Sequence, residues 1–102
     1  MVLNDVCIHF GVTEPYKEHS DELTSKNKLL KKRLKIAIQK LSINPAHPSL
    51  KSHKVYTSDY GSIWSSWVTG DIRVIWDYDS EERLIILLLD IGGHSGIRKV
   101  YK

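Results

Sequence analysis

The longest apolar run of the chain lies within Leu84 to Ile91, where Asp90 is the one charged residue, and this stretch is followed directly by Gly92, Gly93 and His94. The run is too short to span a bilayer, which takes about 20 apolar residues, so it favours a buried strand. Two glycines permit a close approach of the backbone and leave the next side chain accessible. We therefore expect a central strand that presents His94 at its carboxyl end.

Helices are predicted upstream of this strand. Thr13 is expected to cap the first helix, with Pro15 in its first turn, and Ser25 is expected to cap a second helix. One apolar stripe recurs at helical spacing, and the lysines lie on the other side. The stripe consists of Leu23, Leu30, Leu34, Ile38 and Leu41.

Strands are predicted on both sides of the helices. Alternation in residues 6–10 indicates a short first strand that Gly11 ends, and residues 50–55 are expected to form an extended basic connector. Strands over 60–68, 72–78 and 83–90 then form an antiparallel meander, with a tight turn at Thr69-Gly70. The order β-α(α)-β-β-β predicts an α+β fold in one domain, 1–102, with helices on one face of an antiparallel sheet.

Alternation also sorts the second strand of the meander into two faces. Ile72, Val74 and Trp76 form the more apolar face, which is expected to pack on the helices. Arg73 then projects from the opposite, concave face, towards the end where His94 leaves its strand.

Charge and cysteine content indicate the kind of partner and the compartment. The net charge is +3, and the basic residues cluster in residues 26–40 and 51–54, which favours a polyanionic partner. A solvated helix face would explain the first cluster equally well. Cys7 is the only cysteine and no signal peptide is recognisable, so a reducing cytoplasm is the expected location.

Side chains that could carry chemistry are mainly imidazoles and cations. No pair of histidines at i, i+4 with a third ligand is present, so no metal site and no cofactor are expected. What remains is Lys51, His53, Lys54, Arg73 and His94, which are suited to RNA cleavage without a metal. Imidazoles transfer the protons of the 2′-hydroxyl and the 5′-oxygen, and fixed positive charge stabilises the transition state.

Three segments in this order resemble the RelE/ParE toxin superfamily, and the "IGGHS" ending is most similar to its RelE-StbE and YafQ-like branches. The segments are residues 44–55, 70–76 and 88–95. The resemblance covers roughly residues 6–101. It implies the toxin of a type II toxin–antitoxin module, an endoribonuclease that cuts mRNA in the ribosomal A site and is neutralised by a cognate antitoxin.

The resemblance also implies roles for individual residues. His94 corresponds to a histidine taken as general acid or base, and Arg73 to an arginine that contacts the scissile phosphate. His53 would supply a second imidazole, and Tyr101 would stack on or orient the mRNA, unless it is a tail aromatic that packs on the sheet. The residues expected to grip the RNA are Lys51, Lys54, Asp71 and Arg98, the last as a substitute phosphate contact.

Two alternatives remain open. A ParE-like toxin that inhibits DNA gyrase would cut nothing, but such a protein has no need for imidazoles at both His53 and His94. An inactive homologue that only binds an antitoxin is the other alternative. Trp64 and Trp67 are expected to belong to the core or to an antitoxin-docking surface rather than to stack on bases.

Overall fold

The structure is a computed structural model that describes residues 9–79 and 85–93, and it has an α+β architecture with two helices and a five-stranded sheet. None of the helices in these two ranges is long and apolar enough to cross a membrane. The elements in chain order are β1 (His9–Val12), α1 (Glu14–Thr24), α2 (Lys28–Ile43), a 3₁₀ turn (Pro48–Leu50), β2 (His53–Thr57), β3 (Gly61–Trp67), β4 (Ile72–Tyr78) and β5 (Ile85–Gly93).

Both helices begin at side-chain caps. Thr13 Oγ1 accepts a hydrogen bond from the Tyr16 backbone N–H at 3.3 Å, which confirms the predicted start of α1. The cap of α2 is Asn27, whose Oδ1 accepts from the Leu30 N–H at 3.0 Å. Ser25, the expected cap, instead ends α1, because its own N–H donates to the Asp21 carbonyl. Two helices are therefore present as predicted, and only the cap of the second lies two residues later than expected.

The sheet is mixed, in the order β1-β5-β4-β3-β2. β2 to β5 are antiparallel neighbours, but β1 pairs with β5 in parallel, so the expectation of a purely antiparallel sheet is wrong at this edge. Thr13 holds the end of β1 beside β5, because its hydroxyl donates to the Leu89 carbonyl at 2.7 Å. Alternation within β1 carries no information on strand direction, which explains the error.

Two other boundaries differ from the sequence prediction. β1 continues through Gly11 to Val12, and a Cβ at Gly11 would lie 2.8 Å from Leu87 Cδ2, so a larger residue there would require the Leu87 side chain to move. The expected connector over residues 50–55 contains the start of β2. β2 is an edge strand with mostly exposed side chains, so it lacks the apolar alternation by which strands are recognised.

The helices pack against one face of the sheet, here called the helix face, as predicted. Val74 and Trp76 are 1% exposed on this face and share a core with α1 and α2 through Tyr16, Ala37 and Leu41. The opposite face is called the arginine face because it carries Arg73. Its centre is a second apolar cluster of Ile63, Ile75 and Leu89. Polar side chains that could bind or react with a ligand therefore lie at the margins of the arginine face.

A bulge in β5 allows both faces to be apolar. The register between β4 and β5 shifts between Ile75 and Trp76, so that Leu88 and Ile91 both contact the helix-face core although they are three residues apart. Beyond the bulge, Arg73 lies opposite Gly92 and Ile72 lies opposite Gly93. The carboxyl end of β5 is consequently next to Arg73, as the sequence predicted.

Candidate functional site

One margin of the arginine face brings a tryptophan together with two cations. Trp67 on β3 is paired with Arg73 on β4, so both side chains leave the sheet on the same side. The Arg73 guanidinium carbon lies 4.2 Å from the Trp67 ring centroid, and Lys51 Nζ lies 5.2 Å from the same centroid. Both distances are within the range of cation–π attraction. The ring of Trp67 thus contacts both cations.

Arg73 is almost completely buried, with 5% of its surface exposed. Its Nη1 donates to the Thr69 carbonyl at 2.9 Å, while its Nε is buried without a hydrogen-bond partner. Among residues 9–79 and 85–93, no carboxylate forms an ion pair with it. A buried guanidinium that lacks an anion is costly, and the ring of Trp67 and one carbonyl compensate only part of that cost. The site therefore favours an added anion.

Lys51 has an unusual backbone conformation. Its φ of 48° and ψ of 43° are left-handed, and it is the only non-glycine residue with positive φ in the described part of the chain. Such a conformation costs on the order of 1 kcal/mol for a residue with a Cβ, and strain of this kind is concentrated at functional sites. Lys51 follows the 3₁₀ turn, and its conformation turns the chain into β2. Its carbonyl is thereby placed against His53.

The contact between Lys51 and His53 fixes the tautomer of the imidazole. His53 Nδ1 lies 2.9 Å from the Lys51 carbonyl oxygen. A carbonyl can only accept, so Nδ1 must carry the proton, and the neutral ring then has its free lone pair on Nε2. His53 is exposed, so Nε2 is accessible to a ligand. This arrangement suits a proton acceptor.

His53 and Arg73 lie on the same face of the sheet but not side by side. His53 on β2 is paired with Ser65 on β3. Ser65 lies two residues before Trp67, and Trp67 is paired with Arg73 on β4. Two strand spacings and a two-residue offset place the two Cα atoms roughly 12 Å apart. Side chains of this length can approach one nucleotide from both sides. Trp67 lies on the strand between them, and Lys51 Nζ contacts its ring.

Lys54 is separated from this group. It is paired with Trp64, and its Nζ lies 5.1 Å from the Trp64 ring centroid. Trp64 in turn stacks on Trp76 at 5.6 Å, which places Lys54 on the helix face. The structure therefore does not bring Lys54 together with Arg73 and His53.

The remaining candidates are placed only in part. Asp71 is exposed in the turn before β4, where its N–H donates to Thr69 Oγ1 at 3.2 Å, two residues from Arg73. The other three candidates lie outside the described residues, so their relation to Arg73 stays a prediction. They are His94, Arg98 and Tyr101.

The site also extends towards the helices. A cavity of about 310 Å³ lies between α2 and the sheet, and Trp67 forms part of its wall together with Arg33, Lys40 and Ser49. Lys40 Nζ donates to Ser49 Oγ at 2.8 Å. Basic side chains thus approach Trp67 from the helix side as well as from the arginine face, and this end of the sheet is suited to a polyanion.

Trp67 is a site residue that the sequence did not indicate. Trp67 was expected in the core or at a docking surface. The signal that would have identified it is the cross-strand pairing of Trp67 with Arg73, which depends on the exact length of the turn between β3 and β4.

This arrangement of helices and strands is the fold of the RelE/ParE toxin superfamily, and the resemblance seen in the sequence is confirmed at the level of fold. No protein-family model matches the chain, and no curated protein matches its sequence. Among these comparisons, the similarity is therefore found in the three-dimensional structure.

Three solved structures illustrate it. A YoeB/ParE toxin from Agrobacterium tumefaciens has a TM-score of 0.70 at 11% identity, covering 86% of this chain and all of the other. The archaeal RelE in a RelE–RelB complex from Pyrococcus horikoshii has a TM-score of 0.66 at 15% identity, over 89% and 99% of the two chains. YafQ from Escherichia coli has a TM-score of 0.63 at 14% identity, over 84% and 92%.

Proposed function

We propose that the protein is the toxin of a type II toxin–antitoxin module and cleaves mRNA on the ribosome. The observation that carries the proposal is the placement of His53, Lys51, Trp67 and Arg73 on one face of a RelE-like sheet. This group combines an imidazole of defined tautomer with two cations, and among residues 9–79 and 85–93 no carboxylate forms an ion pair with either cation. RNA supplies the missing negative charge.

Cleavage is a transesterification in which the 2′-oxygen attacks the adjacent phosphorus and the 5′-oxygen leaves. His53 Nε2 accepts the proton of the 2′-hydroxyl, and a protonated His94 donates a proton to the departing 5′-oxygen. The products are a 2′,3′-cyclic phosphate and a 5′-hydroxyl end. Arg73 and Lys51 stabilise the charge that develops on the phosphoryl oxygens.

Residues outside this core have secondary roles in the proposal. Asp71 orients groups near Arg73, Arg98 adds a phosphate contact, and Tyr101 stacks on or orients the mRNA. Lys54 is omitted because it lies on the helix face. The resemblance rather than the described geometry supports the roles of His94, Arg98 and Tyr101.

The burial of Arg73 supports dependence on the ribosome. Only 5% of its surface is exposed, so a phosphate can reach more than one of its nitrogens only after this margin of the sheet has opened. A protein in this state cleaves free RNA poorly, and binding to the ribosome supplies the free energy for the rearrangement. The isolated toxin is therefore nearly inactive on naked RNA.

The partner in the proposal is a cognate antitoxin, and the compartment is the cytoplasm. One protein of the same fold has been crystallised as a RelE–RelB complex, which supports a protein partner of that kind for this chain. The antitoxin neutralises the toxin by covering the margin around Trp67 and Arg73 or by holding it closed.

The test is induction of the wild type, His53→Ala and His94→Ala in cells, with mRNA 5′ ends mapped by primer extension. We expect codon-phased cuts with 5′-hydroxyl ends in the wild type and their loss in both variants. His47→Ala, at a half-buried histidine whose Nδ1 accepts from the Ser49 N–H, is the matched control and retains the cuts. Growth arrest without cuts would instead indicate a gyrase inhibitor, and no arrest would indicate an inactive antitoxin-binding homologue.

A further inference from the structure

The indole of Trp67 has a role that neither the fold nor the sequence assigns. We propose that Trp67 is a positioning residue, which keeps Arg73 and Lys51 at one ring so that both cations reach the RNA phosphate once this margin of the sheet has opened. The inference rests on the proposed function, because it names how the phosphate-binding part of that site is built. Trp67 itself takes no part in proton transfer.

Arg73 depends on the ring because little else holds it. Its guanidinium carbon lies 4.2 Å from the Trp67 centroid, and a single hydrogen bond from Nη1 to the Thr69 carbonyl fixes the other end. Arginines are usually positioned by a carboxylate, but a carboxylate would neutralise the charge that the phosphate needs. A π face orients the guanidinium and preserves its charge.

Lys51 approaches the same ring from a different part of the chain. Its left-handed backbone follows the 3₁₀ turn, and its Nζ lies 5.2 Å from the Trp67 centroid. Two cations held near one ring repel each other, and among residues 9–79 and 85–93 neither forms an ion pair with a carboxylate. Binding of a phosphate between the two cations offsets this repulsion. Trp67 therefore holds the two positive charges in an arrangement that a bound anion stabilises.

Trp64 provides an internal comparison. It also carries a lysine, with Lys54 Nζ at 5.1 Å from its centroid, and it is similarly half-buried. However, Trp64 lies on the helix face, where it stacks on Trp76 at 5.6 Å. Replacement of Trp64 therefore removes an equivalent aromatic contact without affecting Arg73 or Lys51.

The first experiment compares Trp67→Leu, Trp67→Phe and Trp64→Leu in cleavage of mRNA on programmed ribosomes. Trp67→Leu is expected to lower kcat about tenfold and to change KM by less than about twofold, because an oriented Arg73 acts mainly in the transition state. Trp67→Phe keeps a π face and restores kcat to within about threefold of the wild type. Trp64→Leu keeps the wild-type kcat even where its thermal stability is lower.

The second experiment is independent of cleavage. In a ¹⁵N NMR spectrum of the free toxin, the Arg73 Nε–H is expected to show a ring-current shift and slow exchange, both lost in Trp67→Leu and retained in Trp67→Phe. An unchanged Arg73 signal in Trp67→Leu overturns the inference, as does a kcat that falls equally in Trp67→Phe and Trp67→Leu. A wild type that does not cleave refutes the nuclease assignment, and the placement of Arg73 is then decided by this spectrum.

Discussion

His53 Nδ1 donates a hydrogen bond to the carbonyl oxygen of Lys51, two residues earlier, across 2.9 Å. The strained residue of the site thus determines which nitrogen of the imidazole is protonated. A left-handed Lys51 directs its carbonyl towards the ring, and the neutral ring then has its lone pair on Nε2. Backbone conformation and proton-acceptor chemistry are coupled through this one contact.

The first prediction concerns His53. Replacement by alanine removes the proton acceptor, so single-turnover cleavage of ribosome-bound mRNA is expected to slow by about 10²–10⁴-fold, the usual contribution of general acid–base catalysis. Binding of the toxin to programmed ribosomes, measured in parallel, should change little.

His47→Ala is the control for this prediction. His47 is half-buried, and its Nδ1 accepts a hydrogen bond from the Ser49 N–H at 3.1 Å, so its neutral ring has the opposite tautomer. Cleavage should be unaffected by this substitution. A His53→Ala protein that cleaves at more than a tenth of the wild-type rate would show that another group is the proton acceptor.

The second prediction separates strain from charge at Lys51. Lys51→Gly removes the cost of a Cβ at φ 48°, so the free energy of unfolding should rise by about 1 kcal/mol in urea denaturation. The same substitution removes the ammonium group from the Trp67 ring, and cleavage should fall. Stability and activity are thus expected to move in opposite directions.

Lys51→Ala is the matched variant, because it removes the ammonium group but keeps a Cβ in the left-handed conformation. Cleavage by Lys51→Ala and Lys51→Gly should be reduced to a similar extent, while only the glycine variant is stabilised. Equal stability of the two variants would mean that the left-handed conformation of Lys51 carries no cost.

The sequence predicted the face of Arg73 but not its neighbour. Alternation along β4 places Arg73 opposite to Trp76 whatever the pairing of the strand, so that prediction needed no knowledge of register. A two-residue turn at Thr69-Gly70, as expected, would pair Trp67 with Ile72 on the helix face. The segment between β3 and β4 instead contains residues 68–71, and Trp67 is paired with Arg73.

The longer turn has a local cause. Thr69 Oγ1 accepts hydrogen bonds from the backbone N–H groups of Asp71 and Ile72, which stabilises an additional bend before β4. A shift of one residue in register exchanges the two faces of β3. For this reason the sequence indicated Arg73, His53 and Lys51 as separate candidates, but not the ring that contacts two of them.

The third prediction compares two adjacent buried serines. Ser65 Oγ has no hydrogen-bond partner, and 0% of the residue is exposed. Ser65→Ala removes an unsatisfied hydroxyl and is expected to raise the free energy of unfolding by about 1 kcal/mol. The increase should appear in chemical denaturation without a change in m-value.

Ser66→Ala should have the opposite effect. Ser66 is equally buried, but its Oγ accepts from Trp76 Nε1 at 2.8 Å and lies 2.6 Å from Ser52 Oγ. Its removal leaves the buried indole N–H without a partner and is expected to cost about 1–3 kcal/mol. Destabilisation of similar size in both variants would contradict the assignment of Ser65 as unsatisfied.

The fourth prediction concerns stability at high pH. Burial raises the pKa of the Tyr16 hydroxyl from 10.0 to about 12, because the ionised phenolate is poorly solvated in the helix-face core. In the unfolded chain this hydroxyl ionises near its ordinary pKa. Between those two values the unfolded state loses the proton and the folded state keeps it. The contribution of Tyr16 to the free energy of unfolding is therefore fully present below pH 10 and is lost as the pH rises towards 12.

A folded-state pKa of about 12 corresponds to a loss of about 2 kcal/mol between pH 10 and pH 12. Tyr16→Phe is the matched control, because phenylalanine keeps the ring in the core and has no proton to lose. The difference in unfolding free energy between wild type and Tyr16→Phe should therefore shift by that amount, in favour of phenylalanine, over this pH range. A difference that stays constant from pH 9 to pH 12 would mean that Tyr16 ionises equally easily in the folded and unfolded states.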